Sequence, residues 1–200
     1  TCRELGLKTV GVDRDSNSLG ANLVDIFHCV DIKNTPELVK LAAAEAISGV
    51  VTMQSDVSVP SIGKINDVLG LTGVNEASAL ICSNKNLTRD ILTASGVIQP
   101  KYELVRTLSC AKVAVDKMGF PCVIKAPDSS GSRGVTKLTS VDQLEQGFCE
   151  AELYSQSGII IVEEFISGIE IGAQTFSENG ECVYCLLHND TLSDNGFMVP

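Results

Sequence analysis

Apolar positions along this chain come in two rhythms. In "NTPELVKLAAAEAI", residues 34–47, they recur every three or four positions, the spacing of one helix face. In "KTVGVD", "IFHCV" and "GVVTM" they stand in short runs bounded by polar turns, the mark of strands buried on both faces. Up to residue 71 the two alternate. A buried strand at 9–12 ends at Asp13, a short strand lies within 25–32, and a helix begins at Asn34 or Thr35 with Pro36 in its first turn. A buried strand at 49–53 and a helix over 58–70 follow. The alternation predicts a parallel sheet with helices on its faces. "CRELG" at the start predicts the end of a helix, stopped by Gly6. A doubly wound domain opens on a strand, and none precedes here, so we expect the chain to be a piece of a longer protein.

From residue 72 the rhythm changes. "NEASALICSNKNLTRDILTASG" predicts one or two helices stopping at Gly96, and "QPKYELV" a strand. "SCAKVAVDKMG" predicts a helix capped by Ser109 and stopped by Gly119. "FPCVIKA" and "GVTKLTS" predict an outgoing and a returning strand around a loop of small residues. A helix over 140–155 and a buried strand over 158–166 follow, then a hairpin of "EIGAQTF" and "ECVYCLL" turning at 178–180. The predicted class is α/β: a truncated Rossmann-like parallel-sheet domain over 1–71, lacking its first strand, and an α+β region over 72–200.

Composition narrows the partners. Trp is absent and aromatics make up 4%, so the core must be aliphatic. No apolar run is long enough to span a membrane and no signal peptide is visible. A net charge of -10 argues against a nucleic-acid backbone as the main partner, because that needs clustered Lys and Arg. It leaves room for a polyphosphate held by a few local lysines. The eight cysteines predict buried free thiols in a reducing cytosol, rather than a zinc site or a disulfide framework. Cys182 and Cys185, three apart on a predicted strand, are expected on opposite faces.

The stretch "KAPDSSGSRGV", residues 125–135, is where chemistry can enter. Lys125 ends an apolar strand, so the sheet fixes its backbone while its side chain reaches beyond the edge. The loop after it has no bulky side chain, which lets backbone N–H groups approach oxygen atoms closely, and its serines add hydroxyl donors. Two readings stand: a loop lying over a phosphate chain, or a mobile hairpin tip, where Gly and Ser also collect.

Two further stretches join it. "SNKNLTRDILTASGVIQP" places Lys85 at a helix start, "GFPCVIKAPDSSGSRGV" carries Lys125 and the loop, and "IIVEEFISGIE" ends a strand in Glu163 and Glu164, with Glu170 following. In this order they resemble the ATP-grasp superfamily, and within it the biotin carboxylase and carbamoyl phosphate synthetase branch. The resemblance covers roughly residues 72–190, with serines and one aspartate standing where many members have glycine. It implies that region 72–200 is the first part of an ATP-grasp domain, including the lid, and that 1–71 is the domain preceding it.

The resemblance also implies roles. Lys85 and Lys125 contact the nucleotide phosphates. Ser129, Ser130, Gly131, Ser132 and Gly134 close over the β- and γ-phosphates, with Arg133 either outward or holding the lid. Val123 and Val135 flank the adenine. Glu163, Glu164, Phe165 and Ile166 form the hinge, which reads the base through backbone C=O and N–H, and Glu170 accepts from the ribose. The cofactors implied are ATP and Mg²⁺, with the metal ligands expected beyond residue 200. The implied activity is that of an ATP-dependent ligase joining a carboxylate to an amine or similar nucleophile through an acyl phosphate. Its implied partners are small molecules, with no nucleic acid and no membrane; a homodimer is compatible, and the location is cytoplasmic. A non-catalytic ATP-grasp module is the alternative. A dinucleotide-binding domain, resting on Asp13 at a strand end, is a third reading; the glycine fingerprint that should precede Asp13 is absent. Gln54, Ser55 and Asp56 form a substrate-side loop candidate. His188, Asn189 and Asp190 follow the last strand, and His188, like His28, reads as structural.

Overall fold

The computed structural model describes residues 2–53, 55–129, 131 and 133–189. The chain forms two compact units, Thr1–Val97 and Ile98–Pro200.

In the first unit, strands β1 (Val10–Asp13) and β2 (Ile26–Cys29) pair in parallel, Val10 opposite Ile26. Four helices follow: α1 (Thr35–Ala44), α2 (Val59–Leu69), α3 (Glu76–Ser83) and α4 (Lys85–Ala94). Leu38 and Ala42 of α1 meet Ile65 of α2 in a small core, with Val12 and Val30 packed around it. α3 packs closely on α2 because Gly63 has no side chain; a Cβ there would lie 2.7 Å from that of Ala79. The change of rhythm at residue 72 therefore falls inside this unit. The Asn84 side chain opens α4, accepting from the N–H of Asn86 (2.9 Å).

Two expectations fail here. Residues 49–53 form no strand, and Val51 and Met53 stand 85% and 84% exposed. An apolar run becomes a strand only when a neighbour takes its N–H and C=O groups, and among the described residues the parallel sheet holds β1 and β2 alone. The opening residues form turns rather than a helix end, with Gly6 at φ 69°.

The second unit contains β3 (Tyr102–Val105), α5 (Leu108–Met118), β4 (Cys122–Lys125), β5 (Val135–Leu138), α6 (Leu144–Tyr154) and β6 (Ile160–Glu164). The strands form an antiparallel sheet in the order β3-β6-β4-β5. α5 and α6 cover one face: Ala111, Ala114 and Val115 of α5 and Leu144, Phe148 and Ala151 of α6 bury against Cys122, Ile124, Leu138, Ile160 and Val162. Thr107, not Ser109, caps α5, its side chain accepting from the Cys110 N–H at 3.2 Å. A capping box of Ser140 and Gln143 precedes α6.

Strands β7 (Ile171–Glu178) and β8 (Glu181–Asn189) form a separate ribbon. Asn179 and Gly180, at φ 51° and 83°, make its two-residue turn, the sequence a type I′ turn requires. Ser177 pairs with Cys182 and Phe176 with Tyr184, so Val183 is the extra residue of a bulge. Cys185 pairs with Thr175. Because Thr175 and Ser177 share a face, Cys182 and Cys185 share one too, contrary to the expectation from spacing alone. The C-x-x-C stretch thus turns both thiols the same way. All eight cysteines are free, but only Cys122 is buried; the other seven are exposed, which corrects the expectation of buried thiols. Cys122 points inward from β4. Burial raises the Cys122 thiol pKa above its ordinary value.

Candidate nucleotide-binding face

Strand periodicity builds the site. Cys122 and Ile124 of β4 point into the core beneath the helices, so Val123 and Lys125 point to the far face of the sheet. Ile160 and Val162 of β6 enter the same core, which turns Ile161 and Glu163 to the far face. Leu138 of β5 is buried in the core, leaving Val135 and Lys137 on the far face. The register then aligns Val135 with Lys125 and Ile161 across β5, β4 and β6, and Lys137 with Val123 and Glu163. Tyr102 extends the second row on β3. Four of the expected residues, Val123, Lys125, Val135 and Glu163, thus share one face.

Lys125 Nζ donates to Glu163 Oε1, and the two side chains are only 15% and 8% exposed. Each charge is taken out of water and offset by the other. Removing one would strand its partner, a far larger cost than breaking a surface pair.

The loop between β4 and β5 is anchored at both ends. Pro127 is fully buried. The Asp128 carboxylate accepts from the N–H groups of Gln156 (3.2 Å) and Ser157 (2.8 Å), tying the outgoing arm to the α6–β6 connection. On the return, the Gly134 carbonyl accepts from the Ala126 N–H at 3.1 Å. Gly134 has φ 67°, and a Cβ there would stand 3.0 Å from Tyr154 Cβ, so both conformation and packing demand glycine. Between the anchors lie Ser129, half-buried, Gly131 at φ 67° with open space where a side chain would be, and Arg133, exposed. Ser130 and Ser132 fall outside the described residues.

The segment expected to form the hinge divides by parity. Glu164 pairs with Cys122 and so projects to the helix side; its N–H donates to the Lys101 carbonyl (2.9 Å), and its carboxylate accepts from the Lys101 N–H (3.3 Å). Phe165 and Ile166 continue past the end of β6, beyond the strand's paired residues. Phe165 returns to the far-face parity, and Lys137 Nζ lies 3.7 Å from its ring centroid. Glu170 stands half-buried immediately before β7. Lys85 is the first residue of α4 in the other unit and is not among the residues this sheet brings together. A cation in the first turn opposes the helix dipole.

The remaining candidates have local partners. Asp13 Oδ1 accepts from the Asp15 N–H at 2.8 Å, closing its own turn. His28 Nε2 lies 2.8 Å from Glu45 Oε1. Asp56 opens a short 3-10 turn, Asp56–Ser58, whose Ser58 hydroxyl donates to the Ser55 carbonyl (2.9 Å); Gln54 is outside the described residues. His188 pairs with Gly172, and its ring occupies the space a side chain there would need, 2.1 Å from the position of a Cβ. Asn189 ends β8, and Asp190 is outside the described residues. Sequence reasoning missed Lys137, Tyr102 and Asp128. The first two were within reach of the alternation that places Val135 and Glu163; the Asp128 clamp depends on a tertiary contact that no local pattern announces.

Residues 91–197 match the family described as D-ala D-ala ligase C-terminus. A formate-dependent phosphoribosylglycinamide formyltransferase of Methanocella arvoryzae is 27% identical over 173 residues, 86% of this chain and 41% of that protein. A phosphoribosylglycinamide synthetase structure from Anaerococcus prevotii superposes with TM-score 0.72 at 26% identity, over 100% of this chain and 50% of that one. The biotin carboxylase domain of 2-oxoglutarate carboxylase from Hydrogenobacter thermophilus, in complex with MgADP, ADP and bicarbonate, gives TM-score 0.67 at 18% identity, over 85% and 41%. The chain spans less than half the length of the curated relatives it matches. With more than half of its residues matched by one family, the chain belongs to the D-ala D-ala ligase C-terminus family of ATP-grasp ligases.

Proposed function

We propose that the chain is the ATP-binding portion of an ATP-dependent ligase that joins a carboxylate to an amine or related nucleophile. The observation that carries the reading is the far face of the β3-β6-β4-β5 sheet. There Val123 and Val135 supply apolar contact, Lys125 supplies the cation, and the loop anchored at Asp128 and Gly134 starts directly beyond Lys125. In this reading a phosphate oxygen takes over the Lys125 ammonium from Glu163. The base lies against the valines, with Phe165 and Ile166 offering backbone C=O and N–H to its edge. Glu170 takes the ribose. The segment 1–71 is read as the domain that precedes the ATP-grasp region.

ATP supplies a phosphoryl group that turns a carboxylate into an acyl phosphate; the nucleophile then displaces inorganic phosphate. This chain's own part is to neutralise charge, orient the chain of phosphates and keep water out beneath the loop. Among the described residues no group of three or more His, Cys, Asp or Glu could hold a metal ion. Mg²⁺ is present with ADP in that biotin carboxylase domain. No helix among the described residues is long and apolar enough to cross a membrane. Seven exposed free thiols suit a reducing compartment.

The test is phosphate release by the full-length protein, with ATP and a panel of carboxylic acids and amines. The reading expects release that requires one acid and one nucleophile together. ATP bound but never turned over with any pair would favour the non-catalytic module.

A further inference from the structure

We infer that Lys137 is a positioning residue for base recognition: its ammonium seats the Phe165 ring against the sheet and so sets the hinge segment that reads the nucleobase. The inference rests on the nucleotide reading above and goes beyond it to a residue outside the motifs. Lys137 lies on β5 directly opposite Val123, which in turn lies opposite Glu163 on β6. Phe165 follows two residues after Glu163, on the same face. The ammonium stands 3.7 Å from the ring centroid, well within the range in which a cation is attracted to the negative face of an aromatic ring.

The arrangement links two strands that share no hydrogen bonds. Among the described residues β5 pairs only with β4, and β6 stands on the other side of β4. Past Glu164 the hinge segment leaves the ladder, so its backbone direction is no longer set by strand pairing. The Lys137–Phe165 contact reaches across β4 to that segment. The Lys125–Glu163 pair crosses β4 to β6 one step earlier. Two lysines of one face thus have different tasks: Lys125 meets a carboxylate at a phosphate-side position, and Lys137 meets an aromatic ring at the base side. A backbone edge discriminates between bases only if its C=O and N–H are held in place, so loosening Phe165 should lower discrimination along with affinity.

The experiment compares the full-length wild type with Lys137→Met, which keeps the apolar stem but removes the charge, and Lys137→Arg, which keeps a cation able to stack on the ring. Affinities are measured for ATP, GTP and inorganic tripolyphosphate, with thermal melting as a check on folding. The expected result for Lys137→Met is about three- to tenfold weaker ATP binding, the range a cation–π contact supports, with a smaller ATP-to-GTP preference and unchanged tripolyphosphate binding. Lys137→Arg should restore wild-type values. If Lys137→Met loses tripolyphosphate and ATP equally, the ammonium acts on phosphates and the inference fails. It also fails if both variants match a wild type that binds ATP. A wild type that binds neither ATP nor tripolyphosphate overturns the nucleotide reading itself, and the inference with it.

Discussion

Replacing Lys125 by Met should reveal whether the far face is built around a charge pair. Both side chains are deeply placed, Lys125 at 15% exposure and Glu163 at 8%, so solvent screening removes little of their interaction. Met preserves the apolar stem but leaves the Glu163 carboxylate buried without its cation. Breaking a buried pair in this way costs about 3–5 kcal/mol, a large part of the roughly 5–15 kcal/mol that holds a domain together. Lys125→Met/Glu163→Gln leaves no net charge to strand, so the cycle should show a coupling of about 2–3 kcal/mol in favour of the pair. Urea unfolding of the parent, both single variants and the double variant measures it. The double variant should fold yet bind ATP roughly 10- to 100-fold more weakly, the loss expected for one charge-assisted hydrogen bond. Additive single effects, or a Lys125→Met cost below about 1 kcal/mol, would refute the burial argument. ATP affinity in a folded double variant equal to the parent's would refute the role of Lys125.

Gly134→Ala forces a left-handed φ of 67° on a residue with a Cβ and drives that atom to 3.0 Å from Tyr154 Cβ, so unfolding should be easier by about 1–2 kcal/mol or more. A loss below about 0.5 kcal/mol by urea denaturation would contradict the tight return of the loop. The Asp25 carboxyl is held below its ordinary pKa of 3.8, first by the Thr9 N–H and then by the Thr9 hydroxyl. A depressed folded pKa gives stability that is present above the unfolded value and lost as pH falls through the folded one. Asp25→Asn should therefore melt lower than the parent at pH 7, and the gap should narrow below pH 3.8; a gap independent of pH in this range would remove the Thr9 contact from the account. With a thiol reagent, seven cysteines of the chain should react in the folded state and Cys122 only on unfolding. Rapid reaction of all eight would contradict the core beneath α5 and α6.

Much of the far face was legible because strands have a period of two. Once "CVIK" and "IIVEE" are strands with their helix-side residues in the core, Val123, Lys125 and Glu163 must share the opposite side. Glu164 illustrates the same rule in reverse: it stands in the motif beside Glu163, yet parity turns its side chain to the helix side, where it meets Lys101. What stayed hidden depends on non-local partners. Residues 49–53 have a strand's apolarity but no described strand beside them. The bulge at Val183, which puts Cys182 and Cys185 on one face, is a matter of pairing register rather than of composition. Thr107 won the cap of α5 over Ser109 through one hydrogen bond, and Asp128 found its partners on the far side of α6.

Hydrogen–deuterium exchange of the full-length protein, with and without ATP, tests the central claim most directly. If a nucleotide occupies the far face, ATP should slow exchange in peptides covering 122–138 and 160–166, while those covering the β1–β2 region keep their rates. Slowing confined to the first unit, with both of those segments unchanged at saturating ATP, would mean that the nucleotide binds elsewhere.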